Sequence, residues 1–257
     1  PKTISTTAHR IFHQVHAHTL HGRLALTLGG CHTSTIGTLT ATTAALQQTQ
    51  NQRHQHSPPI HSTTTPAVII LDAHLALNTP STSPSGNLNG MPLAYATGVA
   101  GAATTDSTPD APFSWIQQAW RVDFRRLVYI GTRDVDPPER DVVARHAIKV
   151  FGMEEVRRHG IEKIMDAVFA YLGPETPIHL SVNVDALDPR WAPGTGNPVE
   201  GGLSLEDGKC VARRVRDSGN LVAVDVVEVD PTVTDREGVE RTVRAAAWLV
   251  RCALTEC

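Results

Sequence analysis

Five short apolar runs with little alternation between apolar and polar residues constrain the fold of this chain more than any other feature. A strand with one face in water alternates, so runs of this kind indicate strands that are buried on both faces. Such strands are typical of a parallel sheet with helices on each side. The five runs span residues 23–30, 67–74, 126–134, 177–185 and 220–230.

Helical patterns lie between these runs. The clearest spans 161–172, and a weaker one, rich in Thr and Ala, spans 34–48. A last helix is predicted over about 237–253, with an apolar face formed at helical spacing by Val239, Val243, Ala246, Ala247 and Val250. Strands that alternate with helices indicate an α/β fold with three layers, αβα, around a mostly parallel central sheet.

Polar segments separate the predicted elements. The stretches 48–66, 79–90 and 103–113 are rich in Ser, Thr, Pro or Gln, and we interpret them as surface loops. The length of 257 residues, 40% of them hydrophobic, favours one domain over 1–257. The first residue is Pro1 and not Met, so we expect a trimmed or incomplete amino terminus.

Charge and cysteine content exclude several classes of protein. The net charge of −3 argues against a basic face for nucleic acid. No apolar run is long enough for a bilayer span, and no signal peptide is visible, so we expect neither membrane nor nucleic-acid partners. Without CxxC spacing, the cysteines predict free thiols in a reducing, cytoplasmic compartment. They are Cys31, Cys210, Cys252 and Cys257.

Each of the five apolar runs ends in polar residues at its carboxyl end. In a parallel α/β sheet, ligands bind outside these ends. A single polar end is more often a turn or a helix cap. Five of them in register, with His and Asp at the first, second and fourth, favour a binding site. The polar ends read GGCH (29–32), DAH (72–74), TRDVD (132–136), NVDALD (183–188) and EVDP (228–231).

The second of these ends raises the question of a metal site. Asp72 and His74 have the Asp-x-His spacing of metal ligands, but Ala76 stands where a further carboxylate would complete the set. From these residues alone, an incomplete metal site and an ordinary strand end both stay open. A separate histidine-rich stretch over 13–21 lacks spacing that puts all its rings on one helical face, and we interpret it as solvated.

Six segments, in family order, resemble the arginase branch of the ureohydrolases over residues 20–254. The resemblance implies an arginase/deacetylase-like fold, usually trimeric, that hydrolyses L-arginine to L-ornithine and urea with two manganese ions. It also implies a strand and a helix before residue 1. The segments are LGGCHTSTIGT, LDAHLALNTP, SGNLNGMP, GTRDVDPPE, SVNVDALDPRWAPGTGNPVEGGLS and DVVEVDP.

The metal ligands implied by the resemblance are only partly present. The family carries aspartate at the positions of Ala76 and Asn183, and an acidic residue at Cys31. The family's proton-shuttling histidine is replaced by Asn89, which cannot titrate. We therefore expect no metal, or one weakly bound divalent ion with help from the Asn183 oxygen. The matching residues that remain are His32, Asp72, His74 and Asp185.

The residues that the family uses for its amino-acid substrate are retained. The resemblance assigns Asn78, Ser85 and Asn87 to the α-carboxylate side. It assigns Asp136 and Glu139 to the α-amino side and Glu228 to the guanidinium. Turn chemistry and a helix start after Pro137-Pro138 account for the residue types as well, but less well for the full set.

We predict an arginase-like protein that has lost hydrolysis and still binds L-arginine, L-ornithine or a related guanidino acid in a regulatory or structural role. Catalytic positions would be Glu228 and Asn89. One alternative is an active ureohydrolase with a single metal at Asp72, His74 and Asp185. The other is an assembly scaffold without ligand. The expected assembly is a homotrimer, or a complex with an arginase-like subunit.

Overall fold

The computed structural model describes residues 1–54, 65–102 and 111–257. The strands are β1 Ala25–Leu28, β2 Ala67–Leu71, β3 Leu127–Ile130, β4 Lys149–Phe151, β5 Ile178–Asn183 and β6 Leu221–Val227. The helices are α1 Lys2–Leu20, α2 Thr35–His54, α3 Pro92–Thr97, α4 Val99–Ala102, α5 Pro137–His146, α6 Met153–His159, α7 Ile161–Leu172, α8 Leu205–Asp217 and α9 Arg236–Leu254.

In the described ranges, the strands form one sheet of order β1-β6-β5-β2-β3-β4, and every neighbouring pair is parallel. Helices cover both faces, so the predicted three-layer fold is confirmed. Each of the five apolar runs contains a strand. Leu71 of β2 pairs with both Val182 of β5 and Ile130 of β3, which aligns the carboxyl ends of three strands. Strand β4 has three residues and was missed because it is too short to give a pattern.

The sheet separates two main apolar cores. One joins the sheet to α7, α8 and α9 and contains Val168, Val211 and Leu249. The other lies beneath α2 and α3 and contains Leu39 and Leu93. Strands β2 and β5 are buried along their whole length, which explains why their sequences lack alternation.

Helix α2 buries hydroxyl groups, and this explains its weak sequence signal. Thr42 donates its hydroxyl hydrogen to the Thr38 carbonyl, and Thr38 donates to Oδ2 of Asp225. On the same carboxylate, Asp225 Oδ2 lies 2.9 Å from Nε2 of His179, a residue that is fully buried on β5. Buried threonines are thus satisfied by hydrogen bonds, although they give the helix little amphipathic pattern.

Three expectations need correction. Helix α2 reaches His54, so the loop predicted over 48–66 is wrong for 48–54, while 55–64 lies outside the described residues, as does 103–110 of the third predicted loop. On α9, Val243 is 50% exposed, because the buried stripe lies one position earlier than predicted. This stripe comprises Thr242, Ala245, Ala246 and Leu249.

The prediction of free thiols is wrong for Cys252 and Cys257. These two residues form a disulfide at the end of α9.

Close packing of α1 on α2 gives a stability prediction for Gly37→Ala. In most helix interiors this change stabilises by about 0.5–1 kcal/mol. Here a Cβ on Gly37 would lie 2.3 Å from the carbonyl oxygen of Ala8, a backbone atom of α1. We therefore expect destabilisation by about 1–3 kcal/mol, measured by urea unfolding. The matched control is Gly29→Ala, whose nearest contact is 3.5 Å from Ser34 Oγ; equal unfolding midpoints for the two variants would contradict the close packing.

Candidate metal and ligand site

The carboxyl ends of the strands open into a cavity of about 650 Å³. All the site residues predicted from the sequence line this cavity except Asp72, which is fully buried beneath it. The structure therefore brings together residues from six chain segments. The predicted residues that line the cavity are His32, His74, Ala76, Asn78, Ser85, Asn87, Asn89, Asp136, Glu139, Asn183, Asp185 and Glu228.

A trio of potential metal ligands lies at the floor of this cavity. Nδ1 of His74 is 3.2 Å from Oδ2 of Asp185 and 3.5 Å from Oδ1 of Asp72. Ligand atoms of all three residues lie within 4.8 Å of one another. Backbone groups hold the carboxylates in place, because the N–H of His74 donates to Asp72 and that of Ala73 donates to Asp185.

The trio concentrates negative charge in a buried place. Burial, and then the charge of Asp185, raise the pKa of Asp72 to about 7. Burial by itself would lower the pKa of His74, but its hydrogen bonds to Asp185 and Asp72 and their charges raise it to about 11. The two carboxylates thus favour a positive charge between them, which a proton on His74 supplies without a metal and which a divalent cation would supply in its place.

His32 stands at the edge of the trio. Its Nδ1 is 3.6 Å from Oδ2 of Asp72, and its buried Nε2 has no hydrogen-bond partner among the described residues. Burial lowers the pKa of His32 to about 4, so the ring is neutral at pH 7. The backbone N–H of His32 donates to Oε1 of Glu228 over 2.6 Å, which fixes that carboxylate beside the cavity. Glu228 also has a left-handed φ of 64°, a conformation that is costly for a non-glycine residue and is typical of functional sites.

The rim of the cavity is built by the start of α5 and the segment after β2. Nδ2 of Asn78 donates to Oδ2 of Asp136 over 2.8 Å. Both carboxylate oxygens of Glu139 accept backbone N–H groups, one from Leu77 and one from Asp136. Asp136 and Glu139 therefore cap the start of α5, as one interpretation of the sequence held, and the same two side chains also line the cavity.

Ser85, Asn87 and Asn89 also line the rim, on the segment whose Gly90 carbonyl accepts from the N–H of Asn78. The hydroxyl oxygen of Ser85 accepts from the N–H of Asn87, which is turn chemistry. Sγ of Cys31 donates to Oδ1 of Asn89 over 3.4 Å and lies 2.9 Å from Oγ1 of Thr33. Cys31 is thus engaged at the rim and does not belong to the trio.

The comparison with known proteins agrees with this geometry. A family model described as "Arginase family" matches residues 1–255. The chain belongs to the arginase family. Arginase of Neurospora crassa is 43% identical over 258 residues, which cover 100% of this chain and 67% of that protein. Arginase of Coccidioides posadasii is 43% identical over 254 residues, which cover 99% of this chain and 73% of that protein.

Solved arginase structures share the fold. The structure of Bacillus subtilis arginase has a TM-score of 0.80 and 30% identity, with 99% of this chain and 80% of that chain covered. Entamoeba histolytica arginase in complex with L-ornithine has a TM-score of 0.78 and 26% identity, with 96% and 76% covered. The resemblance seen in the sequence is confirmed, and the chain spans about two-thirds to three-quarters of the fungal relatives.

Asp72, His74 and Asp185 offer donor atoms that fit a divalent cation. Two carboxylates and an imidazole suit a hard cation such as Mn²⁺. Ala76 offers no donor atom, and Nδ2 of Asn183 donates to Oδ2 of Asp72 over 3.3 Å. Oδ1 of Asn183 accepts from the N–H of Asp185 and keeps a second lone pair, so its use as a metal ligand stays a prediction.

Two residues of the site escaped the sequence analysis. Arg133 donates to the carbonyl oxygens of Asp185 and Val199, over 2.7 and 2.6 Å, and so clamps two loops of the cavity together. Oδ2 of Asp134 lies 3.5 Å from Nε2 of His74. Both residues belong to the TRDVD segment at the end of β3, and this polar strand end was the signal from which they could have been predicted. Nothing in their spacing distinguishes a loop clamp from a ligand contact.

Proposed function

We propose that this arginase-family protein binds one Mn²⁺ ion in the trio of Asp72, His74 and Asp185 and hydrolyses a guanidino amino acid such as L-arginine. The observation that carries the proposal is the closely spaced trio at the floor of a cavity in an arginase fold. The metal would lower the pKa of a water molecule and so make a nucleophile available near neutral pH.

The walls of the cavity support a cationic amino-acid substrate. Asp134, Asp136, Glu139 and Glu228 all line it, and no Lys or Arg does so among the described residues. A guanidinium group binds best to carboxylates through charge-assisted hydrogen bonds. Glu228 is fixed by the His32 backbone and would hold the guanidinium, while Asn78 and Asp136 would bind the α-groups. The L-ornithine complex of the Entamoeba relative supports this class of ligand.

Ligand binding without hydrolysis is a second candidate function. It is favoured by the absence of carboxylates at Ala76 and Asn183 and of a titratable group at Asn89. In that case the protein would bind L-arginine or L-ornithine in a regulatory role, alone or beside an arginase-like subunit. A homotrimer and a cytoplasmic location stay predictions. Along the described chain, none of the helices is both long and apolar enough to cross a bilayer.

Metal content, urea release and ligand binding distinguish these candidates. We expect about one Mn²⁺ per chain after loading with excess metal and desalting, because the described residues contain one complete ligand set of this kind. Slow urea release from L-arginine by this form would support the ureohydrolase. Calorimetric binding of L-ornithine without any urea would support the second candidate. If neither amino acid binds at millimolar concentration, both candidates fail and the scaffold alternative stands.

A further inference from the structure

Helix α1 carries three histidines on one face, at His9, His13 and His16. Residues four and seven positions apart lie above one another on a helix. Nε2 of His9 and Nε2 of His13 are 3.0 Å apart. The stretch 13–21 shows no common histidine face because His9, the partner of His13, precedes it.

The ring of His9 is held in place before any ligand arrives. It stacks on the indole of Trp115 with a centroid distance of 4.7 Å and an angle of 16° between planes. Nε1 of Trp115 in turn donates to the hydroxyl of Ser5, one turn earlier on α1. Binding therefore needs to order little besides the exposed ring of His13, and such preorganisation lowers the entropic cost of binding.

The surroundings of His9 favour its neutral ring, which offers a lone pair to a metal ion. Two imidazolium rings would repel each other at this separation, and one neutral ring can donate its hydrogen to the other. Burial, and then the charge of His13, lower the pKa of His9. The lowered pKa reduces the competition between a proton and a metal ion for the His9 ring.

We propose that His9 and His13 chelate a divalent transition-metal ion of the imidazole-preferring class, such as Zn²⁺, Ni²⁺ or Cu²⁺, through their Nε2 atoms. Two nitrogens bound to a tetrahedral ion are about 3.3 Å apart, and the observed separation is close to this. Carboxylates are missing from the pair, so it should select against Mn²⁺. The site is independent of the Asp72–His74–Asp185 trio and of the proposed function.

His16 is not counted as a ligand. Its ring stacks on Phe12 with a centroid distance of 5.5 Å, and its side chain is hydrogen-bonded to Gln48. The pair therefore leaves the remaining coordination positions to water. By the usual order of affinities, Cu²⁺ should bind most tightly and Zn²⁺ and Ni²⁺ less tightly.

The stacked indole provides a local test. Cu²⁺ bound to His9 should quench the fluorescence of Trp115, and the experiment titrates the protein with Cu²⁺. The trio also takes up Cu²⁺, so the quenching phase of the pair is identified by its loss in His9→Ala. We expect His13→Ala to weaken this phase at least about 10-fold, because one of two ligands is lost. His9→Ala should do the same. The matched control is His18→Ala, an exposed histidine of α1 outside the pair, which should titrate like the wild type.

His13→Ala is the deciding variant. His13 is exposed, so its loss should leave α1 folded and the stacking of His9 on Trp115 intact. The same helical circular dichroism with weaker quenching would support the chelate. Unchanged quenching by both single variants would overturn it, and would leave the pair as a hydrogen bond between two rings. Elemental analysis should also find less Zn²⁺ per chain in His9→Ala and His13→Ala than in the wild type.

Discussion

Replacing Ala76 and Asn183 together by aspartate should raise the manganese content from about one to about two ions per chain and increase urea release roughly 100-fold or more. The double change adds one carboxylate to the cavity lining at position 76 and another that contacts Asp72 and Asp185 at position 183. A pair of ions contributes several kcal/mol of charge stabilisation, and each 1.4 kcal/mol corresponds to a factor of ten in rate.

The local backbone should accept both aspartates. Ala76 has a left-handed φ of 53°, a region that Asp and Asn enter more readily than other non-glycine residues. Asparagine and aspartate have the same shape, so Asn183→Asp needs no repacking. It does turn the hydrogen bond between Nδ2 of Asn183 and Asp72 into a repulsion between carboxylates. Without metal, the double variant should therefore be less stable than the wild type, and manganese should restore its stability.

Single variants and a surface control complete this experiment. Ala76→Asp or Asn183→Asp alone should give far less urea than the double variant, since each leaves the second ligand set incomplete. Asn87→Asp adds a carboxylate at the rim, away from the trio, and should leave the manganese content unchanged. It is a control for metal content only, because the resemblance places Asn87 on the α-carboxylate side of the substrate. If the double variant binds two ions and urea release stays at the wild-type level, the deficit lies elsewhere. Asn89→His is then the next change to test.

The fold could be predicted from the sequence because burial on both faces determines the residue types of the strands. Helix α7 was predicted with the bounds that the structure has, since Gly160 and Gly173 flank a strongly amphipathic pattern. The buried face of α9 was predicted one position out of register, because the stripe includes the small residues Ala245 and Ala246 beside Leu249, and Thr242, whose hydroxyl oxygen accepts from the N–H of Gly194. A hydrogen bond between residues this far apart in the chain depends on tertiary packing and leaves no periodic pattern in the sequence. The same holds for the disulfide between Cys252 and Cys257.

The site could be predicted as a list of residues but not as a set of contacts. All of them face one cavity or lie beneath it because parallel strands bring their carboxyl ends together. The orientation of Asn183 follows from its bonds to Asp72 and to the Asp185 backbone, which residue identity does not reveal. The clamp formed by Arg133 likewise depends on carbonyl groups of distant loops. Sequence predicts which groups meet, and packing determines which of their atoms are free for a ligand.

Asp185→Asn should abolish tight retention of manganese and with it any urea release. The carboxylate of Asp185 is the closest acidic partner of His74 and one of only two negative charges in the trio. Its amide would still accept the N–H of Ala73, so the loop should keep its conformation. We expect the affinity for Mn²⁺ to fall by more than about 100-fold, beyond the effect of changing a residue that only supports a ligand.

Asp230→Asn is the matched control for this change. Asp230 follows β6 at the same edge of the sheet, but its carboxylate accepts from the N–H and hydroxyl of Thr232 and lies outside the cavity lining. Calorimetric titration with Mn²⁺ should give wild-type affinity for this control and no tight binding for Asp185→Asn. Wild-type affinity in both variants would mean that the ion binds elsewhere, so the trio could not be the basis of hydrolysis. Loss of the ion with L-ornithine still bound would separate the metal site from the amino-acid site, because the rim residues Asn78 and Asp136 do not depend on Asp185 for their contact.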